Sequence, residues 1–143
     1  IIAAADGKYT TTAVIVGVNA QSFLINDGTG IMLVYNGYSW VADVQIGDKV
    51  KVTGDTSVYS KAKQFGQGST YEKVGNETVD HGTVKELTAT ECDAYAGMST
   101  IAPEYVKVTG KLSVSSGKYI STREPNLMNP KCSLRCECPP ALA

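Results

Sequence analysis

The sequence predicts an all-β protein: a small closed barrel of five strands in Greek-key order, with one short helix and an added C-terminal hairpin. Three observations carry that expectation. Two short apolar strands, Ser22 to Asn26 and Ile31 to Tyr35, flank a tight Asp27-Gly28-Thr29-Gly30 turn. A long strand, Lys49 to Val58, opens straight after Gly47-Asp48 and carries Gly54 in its middle, where a bulge or barrel corner is expected. The composition agrees, since 14 Gly and 8 Tyr among 143 residues, with Thr and Val recurring, suit strands joined by turns.

The elements follow in order. Thr10 to Val18 alternates, with Val14, Val16 and Val18 on one face and Thr11, Ala13 and Ile15 on the other, as a strand requires. Asn19-Ala20 turns the chain. The next two strands are apolar on both faces, so both are expected to be covered on both sides. Asp27-Gly28 between them is hairpin chemistry, because the turn needs a positive φ that glycine adopts without a Cβ clash. Asn36-Gly37 ends the third strand, and Tyr38 to Ile46 is too polar and irregular for a helix. In the long strand, Val50, Val52 and Val58 are expected inward and Lys49, Lys51 and Asp55 outward.

Ser60 to Ser69 reads as a Gly/Gln/Lys loop around Phe65. Tyr71 to Val74 and Thr83 to Leu87 are short strands, separated by turn chemistry at Gly75-Asn76 and His81-Gly82. Thr88 and Glu91 have the spacing of a capping box, which predicts a helix over Ala89 to Ala96 ended by Gly97. After Pro103, Glu104 to Val114 alternates as a strand that Ser116-Gly117 turns into a hairpin. Val50-Lys51-Val52-Thr53-Gly54 recurs as Val106-Lys107-Val108-Thr109-Gly110. The flanks do not repeat, so we expect two strands in similar environments rather than a tandem repeat.

The length fits one domain with a sizeable core. We place it over 1–120, with the barrel near 9–87, followed by an irregular tail over 121–143 that holds Cys132, Cys136 and Cys138 among prolines. Thirteen Lys and Arg against 14 Asp and Glu give a net charge of −1. That weighs against a dedicated nucleic-acid binder with a basic face and leaves room for a local patch. No apolar run approaches the roughly 20 residues of a transmembrane helix. The chain opens at Ile1, so a processed or excised piece is expected, and Ile1 to Ala5 is too short for a signal peptide.

The order strand, strand, Asp27 to Gly30, strand, loop, then Gly47-Asp48-Lys49-Val50-Lys51-Val52-Thr53-Gly54 resembles the OB-fold of the anticodon-binding and single-strand-binding type, over Tyr9 to Val74. Closer still is the similarity to OB-like domains of exported or lipid-anchored proteins of Bacteroides-type bacteria. It rests on Asp27 to Gly30, Ile46-Gly47-Asp48, Tyr59 with Gln64-Phe65, Leu87 to Tyr95 and Tyr105 to Gly110, and reaches nearly to Ile120. The resemblance implies an exported, periplasmic or cell-surface setting, and a barrel that holds single-stranded nucleic acid.

The chemistry-bearing residues are few. His81 follows Asp80, but strand neighbours point to opposite faces, so the pair makes no catalytic couple and a solvent-exposed turn histidine is expected. Asp27, Asp43, Asp48 and Asp55 fall at turns and strand ends, where carboxylates cap free amides. The tail cysteines do not have the paired spacing of structural zinc sites, and a disulfide among them suits an exported chain. Cys92 in the helix reads as a small buried hydrophobe. We therefore expect no enzyme, no metal and no cofactor.

Two binding readings stand. In the first, Tyr35, Tyr38 and Trp40 at the end of the third strand face Tyr59, Lys61, Lys63 and Phe65 in the next loop. Aromatics there would stack bases while lysines follow phosphates. Against this, Phe65 and Trp40 would plug the barrel ends while the lysines solvate a loop. In the second reading the domain is an envelope accessory or spacer that binds glycan or protein.

Overall fold

A computed structural model describes residues 1–19, 21–37, 43–81, 83–109, 111–115 and 119–123. The chain forms two compact units. The first holds Ile1–Asp80 with Thr100–Glu104, and the second holds the helix and the strands that follow it in sequence, together with His81–Ser99.

The first unit is a closed barrel. Its strands are β1 (Lys8–Val18), β2 (Ser22–Asn26), β3 (Ile31–Tyr35), β4 (Asp48–Tyr59) and β5 (Ala62–Phe65). They run in the order β1-β2-β3-β5-β4, and pairing of β4 with β1 closes the ring. The β3–β5 pair is parallel, while the others are antiparallel. This is the OB-like barrel expected from the sequence, with β6 (Thr70–Asn76) added along β4.

Closure depends on two long strands that each serve two partners. Lys8 to Val14 of β1 pairs with β4, and Val14 to Val18 then pairs with β2. A register slip between Ile15 and Gly17 bends β1 at the changeover. The inward faces meet in one cluster: Ala13 and Ile15, Phe23 and Ile25, Met32 and Val34, Val50 and Val52, and Phe65. The outward residues Leu24 and Leu33 remain half-exposed, so these two strands are not covered on both sides as expected.

Gly54 marks a corner, as its position in the sequence predicts. Thr53 pairs with Thr70 and Thr56 with Phe65, so two residues of β4 face four, 66–69. Ser69 folds back over the gap, its hydroxyl donating to the Gly66 carbonyl at 2.6 Å. A Cβ on residue 54 would overlap the Ser69 side chain and stand 3.0 Å from its Cα.

Two expectations for this part of the barrel need correction. Ala62–Phe65, read as loop, is the fifth barrel strand, and Val58, expected inward, is 57% exposed. A two-residue turn joins β4 to β5, with Ser60 at φ 48° and Lys61 at φ 74°. Both central residues of such a turn need positive φ, which glycine or asparagine normally signals. Neither is present here. Val58 faces the barrel side of its strand but lies beyond the end of the core.

In the second unit, α1 (Ala89–Gly97) begins at Thr88, where the capping box forms. Glu91 N–H donates to the Thr88 hydroxyl at 3.3 Å, and Thr88 N–H donates to the Glu91 carboxylate at 2.9 Å. β7 (Lys85–Glu86) and β8 (Val106–Lys107) pair in parallel. β9 (Lys111–Ser115) and β10 (Tyr119–Arg123) pair antiparallel, and the expected turn at Ser116-Gly117 lies outside the described residues. The expected strand from Glu104 to Val114 is thus broken, with Val108 and Thr109 outside β8 and β9. The first copy of the echo is a central barrel strand, whereas Val106-Lys107 makes only a two-residue pairing.

Candidate binding surface

The ladder fixes where the named aromatics and lysines point. Val34 pairs with Phe65 and Leu33 with Gln64, while Tyr59 pairs with Ala62. Paired residues share a face and neighbours alternate. Tyr35, Leu33, Gln64, Ala62 and Tyr59 therefore lie on the outer wall, with Lys63 and Phe65 on the inner one.

Tyr35 and Tyr59 do not meet. Tyr35 lies level with residue 66 and Tyr59 with Ala62, which separates them by about 13 Å along the strand. Gln64, between them, is buried. The open end is the β4–β5 tip, where Tyr59 is 68% exposed and Val58, Ser60 and Lys61 are exposed with it. Ile101 flanks this tip, bridging Ala62 and donating its N–H to the Lys61 carbonyl at 2.8 Å. Tyr38 and Trp40 lie outside the described residues.

Two of the sequence-derived candidates are not at the surface. Phe65 is 0% exposed and belongs to the core cluster, so it stacks on no ligand while the barrel is closed. Lys63 is 7% exposed; its ammonium donates to the carbonyls of Ala4 and Ala5 and pairs with Asp6 at 3.3 Å. The inward parity of Lys63, two residues before Phe65, would have revealed this had Ala62–Phe65 been recognised as a strand.

The turn carboxylates act as clips. Asp27 accepts from the Thr29 amide at 2.9 Å and hydroxyl at 2.6 Å. Burial pushes its carboxyl up, but these bonds and the Thr11 hydroxyl hold it below the ordinary value. Asp48 is 3% exposed and accepts from the Gln45 amide at 3.0 Å and the Asn76 side chain at 2.9 Å. Lys73 adds an ion pair at 3.2 Å. The Gln45 amide, opposed by burial and helped by Lys73, keeps this carboxyl low. A depression beside it, lined by Ile46, Gly47, Asn76, Glu77 and Thr78, has its acid engaged, because Glu77 pairs with Lys49 at 2.8 Å.

His81 is exposed, its ring 3.9 Å from that of Tyr105 by centroids. Cys92 is a buried free thiol. Among the described residues no three of His, Cys, Asp and Glu gather as a metal site, and no helix is long and apolar enough to cross a membrane. The tail cysteines lie outside the described residues.

The class defined on these grounds is an OB-like barrel with an exposed aromatic tip. No protein-family model, curated protein or solved structure matches the chain.

Proposed function

We propose that the protein is a non-catalytic binding module of an exported bacterial protein, and that it takes single-stranded nucleic acid at the β4–β5 tip. The observation that carries this reading is the exposed Tyr59 beside Lys61, at the turn joining the fourth and fifth strands of an OB-like barrel. Barrels of this type take oligonucleotides and oligosaccharides on strands 2 and 3 and on the 1–2 and 4–5 loops. A base stacked on Tyr59 contributes roughly 1–3 kcal/mol, and Lys61 can meet the adjoining phosphate. The exported setting rests on the similarity to Bacteroides-type domains.

A second reading, an envelope accessory module binding glycan or protein, is favoured by the scarcity of cations at the site. Burial of Lys63 and a net charge of −1 leave few cations for phosphates, while a tyrosine serves a sugar face as well as a base. Salt separates the two, because phosphate contacts release counterions and sugar contacts do not. The test is binding of labelled oligo-dT at two salt concentrations beside a glycan array. The first reading expects binding at low salt that falls steeply as salt rises. No oligonucleotide binding at low salt, with retention on a glycan, establishes the second instead.

A further inference from the structure

Lys63 is a buried lysine whose hydrogen-bond acceptors all come from one short segment. An ammonium has three N–H donors. Here two of them go to Ala4 O and Ala5 O, Asp6 adds an ion pair at 3.3 Å, and the ring neighbour Tyr9 lies 6.0 Å away. No acceptor comes from β3, β4 or β5.

The segment that supplies them is lightly held. Residues 1–6 precede β1 and join no strand. Besides Lys63, they are tied by the Tyr9 hydroxyl, which donates to Ala5 O at 2.8 Å, by attraction between the Ile1 ammonium and Asp27, and by Ile1 and Ile2, which are partly buried against the core. Ile2 Cδ1 occupies space that a Cβ on residue 30 would need, so it seats on the bare backbone of Gly30. Firm anchoring begins at residue 7, whose carbonyl accepts the Thr56 amide at 2.8 Å.

A lysine without partners does not stay buried, since desolvating a lone charge is far costlier than turning it to water. Lifting residues 1–6 therefore forces Lys63 outward. It would emerge at the tip beside its partner Val58, on the wall opposite the Tyr59 ring and one rung from the Tyr59–Ala62 pair. Val58 is exposed on that same face.

We infer that Ile1–Asp6 is a latch: closed, it withholds the Lys63 ammonium from the tip, and open, it delivers that charge to a phosphate beside Tyr59 and Lys61. The control of ligand binding rests on the nucleic-acid reading, whereas the latch itself does not. A phosphate-bearing ligand that engages Lys63 prefers the open arrangement and shifts the population towards it.

Amine acylation read by mass spectrometry tests the latch on the full chain. Lys63 should react about tenfold or more slowly than Lys61, the protection of a segment that opens only part of the time. In Ile2→Ser, which unseats the segment without changing charge, Lys63 should approach the rate of Lys61. In the same variant the log–log salt slope for oligo-dT should steepen by about 0.7, one further phosphate contact on a single strand. Ile2→Ser with Lys63→Met should return to the wild-type slope. Equal reactivity of Lys63 and Lys61 in the unaltered protein, or no release in Ile2→Ser, overturns the latch. Release with an unchanged slope overturns its control of the ligand. If no oligonucleotide binds either protein, the nucleic-acid reading and that control both fall, and the acylation rates still uphold or overturn the latch.

Discussion

Asp48 gathers three donors, the Gln45 amide just before β4 and the Asn76 amide group and Lys73 of β6, so one carboxylate ties the entry of β4 to β6. Asp48→Ala leaves the Gln45 and Asn76 donors without their acceptor and should lower unfolding free energy by about 2–3 kcal/mol in a urea titration. The pH dependence has a fixed sign. Because the folded carboxyl sits below its ordinary value of 3.8, its contribution is complete above that value and is lost as pH falls through the depressed one. Asp48→Asn should therefore flatten the acid limb of stability against pH without changing its shape near neutrality. Gly54 makes a steric case rather than an electrostatic one. Gly54→Ala should cost about 1–3 kcal/mol by overpacking against Ser69, and Ser69→Gly should recover part of it. Full cost with no recovery would place the requirement in the backbone of residue 54 instead.

At the scale of elements, α1 has nine residues, too few to be stable alone, so its start has to be well capped. Thr88→Ala should remove about 1 kcal/mol, seen as faster amide exchange in the first turn. The Thr88 amide, with Lys85 and the Thr88 hydroxyl, holds Glu91 at about 2. Its contribution is thus present above the ordinary glutamate range and disappears as pH falls through about 2, which amide exchange in the first helix turn should register. Thr88 and Glu91 were legible in the sequence because capping is local, and so were β2 and β3, whose bounds coincide with the predicted ones. β5 was not legible. Its inward Lys63 looks solvated until Ala4, Ala5 and Asp6 arrive from some sixty positions away, and its turn uses Ser60 and Lys61 in place of glycine. The pentapeptide echo failed for a related reason, since Val50 and Val52 find a core while Val106 and Lys107 find only β7.

For the whole molecule, the barrel order follows from strands that could be read individually, but the surface does not. Tyr35 and Tyr59 were expected to face one another, and parallel pairing of β3 with β5 sets them at opposite ends of the wall. Among the described candidate residues, Tyr59 and Lys61 at the tip are the exposed ones, on a chain whose charge is close to balanced. On the proposed reading, ligand contact falls at a hairpin end rather than on a broad basic face. The most direct test is titration of labelled oligo-dT into the unaltered protein and Tyr59→Ala, each at low and moderate salt. We expect low-salt binding that weakens with salt, and a loss in Tyr59→Ala of about 1–3 kcal/mol at both salts, the worth of one stacked base. Binding that Tyr59→Ala leaves unchanged, or no binding at low salt, would contradict the assignment.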